Sequence, residues 1–287
     1  MGGQRISILG GTGFVGRHLA AHLRSEGHAV AQHGRAAFAD AAHLAQAVEG
    51  VDVLIMLAGA NVGERWTSAH KQALYESRLK TNALLAEVLA QSATPPKRIL
   101  SASAVGFYPE ADCDAPCDEG CLQPGEHALG RLAAAWEAAS EKLTPQPAIM
   151  RFGVVLGPDG GALSKMRLPF QLGLGGPVGS GRQCISWIHI DDLCRAISFL
   201  LERDEMVGPI NLCSPEPVSN ARFGRALANA LKRPFWLPMP AVALKALYGE
   251  GAIVLLLSNA AVPRRLLEAG FRFRYADIDA AMAACVG

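Results

Sequence analysis

No stretch of this chain restricts its fold as much as Ile6-Ser7-Ile8-Leu9-Gly10-Gly11-Thr12-Gly13-Phe14-Val15-Gly16-Arg17-His18-Leu19. Ile6, Ile8 and Leu9 form an apolar run that reads as a buried strand, and Val15, Leu19 and Leu23 then recur at helical spacing. Between them lies a G-x-x-G-x-x-G turn, each glycine with its own task. Gly10 lets the chain leave the strand sharply, Gly13 lets the backbone approach a pyrophosphate, and Gly16 lets the helix pack close to the strand. Thr12, Phe14 and Val15 fill the turn, and the N–H groups of the helix start face the phosphates. A glycine trio alone is a weak signal. With a strand before it and a helix after it, it predicts a dinucleotide turn.

The end of the second strand, roughly His28 to Gln32, then bears on which dinucleotide. An NAD site usually places an acid about 20 residues past the glycines to hold the ribose 2′-OH. This chain offers Gln32-His33-Gly34-Arg35. A carboxylate would repel a 2′-phosphate, whereas Arg35 can fork onto it with help from His33. NADP is the expected cofactor, with a solvated turn arginine as the plainer alternative.

The βα alternation continues. A short helix (40–48) precedes a third strand, Val51 to Leu57, which runs into Ala58-Gly59-Ala60-Asn61 at the end where ligands bind in open α/β sheets. Ser68 to Gln91 reads as a long helix carrying Arg78, and Arg98 to Ala102 as a fourth strand leading into Ser103 and Tyr108. A loop extends to Glu126, a helix follows from Ala128 to Lys142, and a fifth strand spans Ala148 to Phe152. Four successive strand–helix units predict a doubly wound parallel α/β sheet with right-handed crossovers. Beyond Gly161 the texture changes to a glycine-rich loop (172–181), a strand from Ile185 to Ile190, a helix capped by Asp191-Asp192 and running to Leu201, and a strand from Pro209 to Cys213. Short helical pieces separated by prolines follow. Residues 1–160 are thus expected to bind the cofactor, with 183–212 returning to that part. Residues 161–287, including a helical region at 235–287, should form a smaller C-terminal α/β lobe on the substrate side.

Composition narrows the partners. With 18% charged residues and a net charge of +1, the chain lacks the basic excess of a nucleic-acid protein. No run approaches 18 apolar residues; the longest candidate, Ala252 to Leu257, reads as a core segment rather than a membrane span. The first strand starts too early to leave room for a signal peptide, and the seven cysteines are scattered, so a reducing, cytoplasmic setting is expected. Cys113, Cys117 and Cys121 lack the C-x₂-C spacing of common metal sites and read as loop residues without a ligand role.

Taken together, GGTGFVG, LAGANVGERW (57–66), SRLKT (77–81), SASAVGFY (101–108), WEAA (136–139), RFGVVLGPDGGAL (151–163), PFQLGLGGPVGSGRQCISWIHIDDL (169–193) and VPRRLLEAGFRF (262–273) resemble the extended short-chain dehydrogenases/reductases. The narrower resemblance is to the epimerase family proteins that carry a C-terminal domain of unknown function. It implies a Rossmann sheet and NADP. It also implies cofactor contacts at the glycine turn, at Gly34 and Arg35, at Leu57 and Ala58, at Arg78, and at Gly153 and Val154. Gly59 and Ser101, at the ends of the third and fourth strands, complete the expected set.

One part of the family pattern is missing. Extended reductases pair a Ser or Thr with Tyr-x-x-x-Lys, and the tyrosine exchanges a proton with the substrate oxygen. Ser103 matches the serine. Aligning Glu137 with the glutamate that trails the motif puts Leu129 and Ala133 where tyrosine and lysine belong. His127 and Arg131 keep the i, i+4 spacing, and Tyr108 is a third candidate acid, all on spacing alone. Arg182, beside the glycine-rich loop, is the candidate for a substrate anion, and His189 reads as structural. Two functions follow. One is an oxidoreductase or epimerase acting on a small polar substrate such as a sugar nucleotide, preferred because the substrate-side motif at 169–193 is intact. The other is a non-catalytic NADP-binding or sensing protein.

Overall fold

The apolar runs align into one parallel sheet in the computed structural model, which describes residues 3–287. The strands are β1 (Arg5–Leu9), β2 (Ala29–His33), β3 (Val53–Met56), β4 (Arg98–Ala104), β5 (Ala148–Phe152), β6 (Val154–Gly157), β7 (Cys184–Ile185), β8 (Trp187–His189), β9 (Gly208–Leu212) and β10 (Val218–Ser219). Six of them form the main sheet in the order β2-β1-β3-β4-β5-β9. Leu9 at the end of β1 pairs with His33 on one side and Met56 on the other, so the three carboxyl ends lie level. The winding direction reverses between β1 and β3, and ligands of such sheets bind at that point.

The helices are α1 (Phe14–Ser25), α2 (Ala41–Val48), α3 (Ser68–Gln91), α4 (Ala128–Ser140), α5 (Gly161–Gln171), α6 (Ile190–Leu201), α7 (Asn220–Ala230), α8 (Ala241–Tyr248), α9 (Ile253–Leu256), α10 (Arg264–Glu268) and α11 (Ile278–Val286). All four residues of β3 are buried, as a strand covered on both faces requires. On one face Ile6 and Ile8 pack with Leu19 and Leu23 of α1 and Leu193 and Ile197 of α6. On the other, Leu9 and Leu54 pack with Leu44 and Val48 of α2 and Leu85 of α3. Each such side chain contributes about 1.5–3 kcal/mol of burial. A second core joins Leu156, Trp187, Phe223, Leu227 and Met282 in the C-terminal lobe, where β6 pairs with β8 and β7 with β10.

Several local readings are corrected. The strand expected over 185–190 is broken into β7 and β8, and α6 already starts at Ile190. Its cap is His189, whose Nδ1 accepts the Asp191 N–H at 3.1 Å. Asp192 does not cap. It is fully buried and accepts the N–H groups of Arg274 and Tyr275 at 2.8 and 2.7 Å, because a buried carboxylate needs fixed donors and that turn supplies them. The 252–257 segment is core only at its ends; residues 253–256 are half-buried in α9. The helix expected to reach Lys142 ends at Ser140.

The cysteines depart most from expectation. Cys113 and Cys184 form a disulfide across 71 residues, with Cα atoms 5.4 Å apart. It fastens the loop after β4 to β7. Their separation in sequence hides the pair, since local spacing is the only signal a cysteine pattern gives. Cys117 and Cys121 remain thiols, and burial beside Cys121 raises the Cys117 pKa to about 11. Alkylation of denatured protein without reductant should label five thiols, those of Cys117, Cys121, Cys194, Cys213 and Cys285. Labelling of all seven cysteines under those conditions would contradict the bridge. Among the described residues no helix is long and apolar enough to cross a membrane.

Candidate cofactor and active site

The glycine turn has the geometry its sequence demands. Gly10 sits at φ +85°, and a Cβ there would come within 2.7 Å of the Ala58 nitrogen at the end of β3. Two constraints therefore require glycine. Its N–H and that of Gly11 both donate to the His33 carbonyl, at 2.8 and 3.0 Å. A Cβ on Gly16 would meet Gly11 Cα at 2.5 Å, so this glycine lets α1 close onto the turn. Gly13 differs: a Cβ there would meet only the Gly10 oxygen, at 3.4 Å. Its outer side is open, and it precedes the free N–H groups of α1, an arrangement suited to phosphate oxygens.

Phe14 turns away from that opening. A Cβ on Gly160 would come within 2.3 Å of its ring, and one on Gly157 within 2.7 Å. The glycines of Gly157-Pro158-Asp159-Gly160-Gly161 let this loop lie against the ring, and His18 Nε2 to Asp159 Oδ1, at 2.8 Å, holds it there. Val15 is half-buried behind it.

At the end of β2 the structure places no acid. His33 is half-buried, and burial lowers its pKa. Gly34 lies under Thr12, since a Cβ there would come within 3.2 Å of Thr12 Oγ1. Arg35 is exposed, and its guanidinium makes no hydrogen bond or ion pair among the described residues. Thr12 and Gly13 are exposed, and so is Arg35, the residue that follows Gly34 beneath Thr12.

At the end of β3, Leu57 and Ala58 are half-buried and Gly59 is exposed. Beneath them Arg78 reaches up from α3. It is buried, donating from Nη1 to Leu74 O at 3.0 Å and from Nη2 to Ala60 O at 3.1 Å. A Cβ on Gly59 would lie 3.1 Å from its guanidinium. At the end of β5, Gly153 is held by Leu212 O, and Val154 N donates to Ser186 O at 2.8 Å.

The three candidate proton donors are all engaged elsewhere. Ser103, Arg151 and Asn211 are partners in register across β4, β5 and β9, so their side chains leave the same face of the sheet, toward α4. Ser103, 2% exposed, donates to Glu137 Oε1 at 2.6 Å. Arg151 grips the same carboxylate from Nε at 2.8 Å and Nη2 at 2.7 Å, with its guanidinium 3.7 Å from the centre of the Phe107 ring. Tyr108 is fully buried and donates to Asn211 Oδ1 at 2.8 Å; burial pushes its pKa up. His127 caps α4: Nδ1 accepts the Gly130 N–H at 3.0 Å, which leaves Nε2–H to donate to Tyr108 O at 3.0 Å. Arg131 is exposed and bonds the Glu126 carbonyl. Ser101 is also fully buried and shares a hydrogen bond with Ser140 at 2.9 Å, so its side chain does not face the cleft.

Leu129 is half-buried, about 3.5 Å from where a Cβ on Gly106 would sit, and Ala133 is buried. Arg182 is exposed, with no side-chain partner among the described residues. The sequence reading missed the Glu137–Arg151 pair. Its signal was present: a glutamate on the apolar face of α4 and an arginine inside an apolar strand each announce a buried partner.

A six-stranded parallel sheet with a glycine turn at its switch point defines a doubly wound nucleotide-binding α/β protein. The chain belongs to the NAD dependent epimerase/dehydratase family, which it matches over residues 6–213, and residues 239–285 match a domain of unknown function, DUF1731. It is 36% identical over 289 residues to the mouse epimerase family protein SDR39U1, covering 97% of this chain and 98% of that one. It is 32% identical over 295 residues to the Bacillus subtilis epimerase family protein YfhF, covering 97% of each. The crystal structure of human SDR39U1 (isoform 2) with NADPH superposes with a TM-score of 0.88 at 32% identity, covering 98% of this chain and 99% of that one. UDP-glucose 4-epimerase from Thermus thermophilus, at 17% identity and a TM-score of 0.77 over 98% of this chain and 97% of that one, shares the fold.

Proposed function

We propose that this protein binds NADP(H) at the carboxyl ends of β1, β2 and β3 and lacks a side chain able to exchange a proton with a substrate oxygen. The observation that carries the cofactor reading is the exposed Arg35 next to Gly34, which lies under Thr12 of the glycine turn, with no carboxylate at the end of β2. A 2′-phosphate placed there meets a free guanidinium rather than a like charge. NADPH in the human relative supports the same choice. Gly10 to Gly16, His33, Gly34, Leu57 to Gly59, Gly153 and Val154 would hold the rest of the molecule. Bound there, the nicotinamide would supply a hydride or accept one.

The missing proton donor follows from the bonding. A general acid must reach the substrate oxygen within a hydrogen bond, and Ser103, Tyr108 and His127 each spend that capacity inside the fold. A sugar-nucleotide epimerase or reductase running through these residues is therefore disfavoured, and a cofactor-binding protein is the better reading. The second reading, catalysis on a small polar substrate, is favoured by one observation: Arg182 stands exposed beside the glycine-rich loop, ready for an anion.

A panel of sugar nucleotides and simple carbonyl compounds separates the two. NADPH oxidation by the carbonyl compounds, and epimer formation from each sugar nucleotide with NADP+ present, followed by chromatography because epimerisation consumes no net cofactor, should both stay at the no-protein rate, and His127→Ala and Tyr108→Phe should change nothing. Robust turnover that either substitution abolishes would show that the residue swings free on binding. Turnover that survives both would leave Ser103 or a group of the substrate-side lobe as the donor. Either result refutes the missing donor.

A further inference from the structure

The large apolar side chains left outside the core gather on the C-terminal lobe. Of the eleven that are exposed among the described residues, seven lie in 168–174 and 236–242. Leu168 sits on the last turn of α5, Leu172 and Leu174 begin the glycine-rich loop, and Trp236, Leu237 and Met239 run beside them. The two segments touch along their length. Trp236 N and Leu237 N both donate to Gly175 O, at 2.9 and 3.1 Å, and Met239 N donates to Pro177 O at 2.8 Å. Beneath them the rings of Phe170 and Phe235 lie 6.3 Å apart. Leu172 is 66% exposed and Trp236 64%, and a contiguous patch of this kind marks a contact surface.

Charge on the same segments is of one sign. Residues 160–190 and 217–249 contain eight Lys and Arg and no Asp or Glu, in a chain with 27 basic and 26 acidic residues, so the rest of the molecule is acidic on balance. Two of the eight are occupied: Arg222 pairs with Asp279, and Lys165 donates to Gly63 O at 2.6 Å. Arg167 is half-buried. Arg182, Arg225, Lys232, Arg233 and Lys245 are exposed and make no ion pair among the described residues. Lys232 and Arg233 lead directly into Pro234, and the Arg225 guanidinium stands over the Phe235 ring, 5.6 Å from its centroid.

The backbone of the patch is already satisfied from within. Pro234, Pro238 and Pro240 have no N–H, and those of Trp236, Leu237 and Met239 are bonded to the neighbouring loop; within 234–240 only the Phe235 N–H has no partner among the described residues. On the facing segment Leu172 N donates to Leu168 O, Gly173 N to Phe170 O and Leu174 N to Pro169 O, at 3.1, 2.9 and 3.0 Å. Trp236 Nε1 donates to Gly173 O at 3.1 Å. A protein partner can satisfy free backbone donors and hydrocarbon cannot, so internal bonding at an exposed apolar surface favours lipid. A bilayer with anionic headgroups also offers apolar depth and diffuse negative charge together, which is what this face complements.

We propose that this face docks on the surface of a lipid bilayer carrying anionic headgroups. Leu172, Leu174 and Trp236 enter the boundary between headgroups and acyl chains, where a tryptophan ring is favoured, and the exposed cations face the lipid phosphates. The contact is peripheral and not a span, since among the described residues no helix is long and apolar enough to cross a membrane.

Trp236 reports the contact, because Trp66, Trp136 and Trp187 are buried. The full chain is mixed with vesicles of phosphatidylcholine alone, or with about 30% phosphatidylserine added to supply negative charge. With phosphatidylserine the protein should sediment with the vesicles and its tryptophan emission should shift to the blue; with phosphatidylcholine alone it should stay in the supernatant. Lys232→Glu/Arg233→Glu should lower the partition at least about tenfold, and added salt should lower it in the wild-type protein. Leu172→Ser/Leu174→Ser should also lower it and remove the blue shift, with thermal melts confirming that both variants fold. Sedimentation velocity without vesicles completes the test. Binding to neither vesicle, equal binding to both, or binding that the variants leave unchanged overturns the proposal. So does a wild-type dimer that Leu172→Ser/Leu174→Ser dissociates, which would give the face to a second copy of the chain.

Discussion

Glu137→Ala should destabilise the protein by about 3–5 kcal/mol, the usual cost of removing one partner from a buried ion pair. The side chains of Glu137 and Arg151 are 6% and 1% exposed, so the arginine left behind cannot reach water. Ser103 would lose its acceptor in the same step. Arg151 would keep only the Phe107 and Tyr108 rings beside it, a poor substitute for two charge-assisted hydrogen bonds. Urea denaturation reads this as a lower midpoint at an unchanged slope. The double variant Glu137→Leu/Arg151→Met, which removes both charges and keeps most of the volume, should recover much of the loss. A single-variant cost under about 1 kcal/mol would mean that the pair is well solvated, contrary to its burial.

The sheet was legible because its strands are buried on both faces and therefore apolar almost without interruption. Val53 to Met56 and Ala148 to Phe152 appear where the apolar runs put them, and α3 begins at Ser68 because Thr67 accepts the His70 N–H, a cap with a plain sequence signature. His127 and His189 cap α4 and α6 through Nδ1, and a histidine cap carries no such signature. Asp191-Asp192 looked like the cap instead, and only the tertiary approach of Arg274 and Tyr275 shows why Asp192 is there.

At the site, the glycines were readable because backbone conformation and close approach leave few alternatives at Gly10 and Gly16. The polar residues were not. Spacing along α4 brought out His127 and Arg131, yet which side chains are free depends on register across strands far apart in sequence. Ser103, Arg151 and Asn211 become neighbours only when β4, β5 and β9 pair. The Cys113–Cys184 bridge, the Glu137–Arg151 pair and the stacking of Arg78 on Trp136 are of the same kind: each joins segments that the linear pattern keeps separate.

Calorimetric titration of NADPH and NADH into wild-type protein and Arg35→Glu tests the cofactor assignment most directly. Arg35, at the end of β2, is exposed with no guanidinium partner among the described residues, so on the proposed reading wild-type protein should bind NADPH at least about tenfold more tightly than NADH, a difference of roughly 1.4 kcal/mol. Arg35→Glu replaces attraction by repulsion at that phosphate and should cost NADPH on the order of a hundredfold, roughly 2.7 kcal/mol, while NADH stays within about twofold. Equal affinities in the wild-type protein, or a ratio that Arg35→Glu leaves unchanged, would contradict the account.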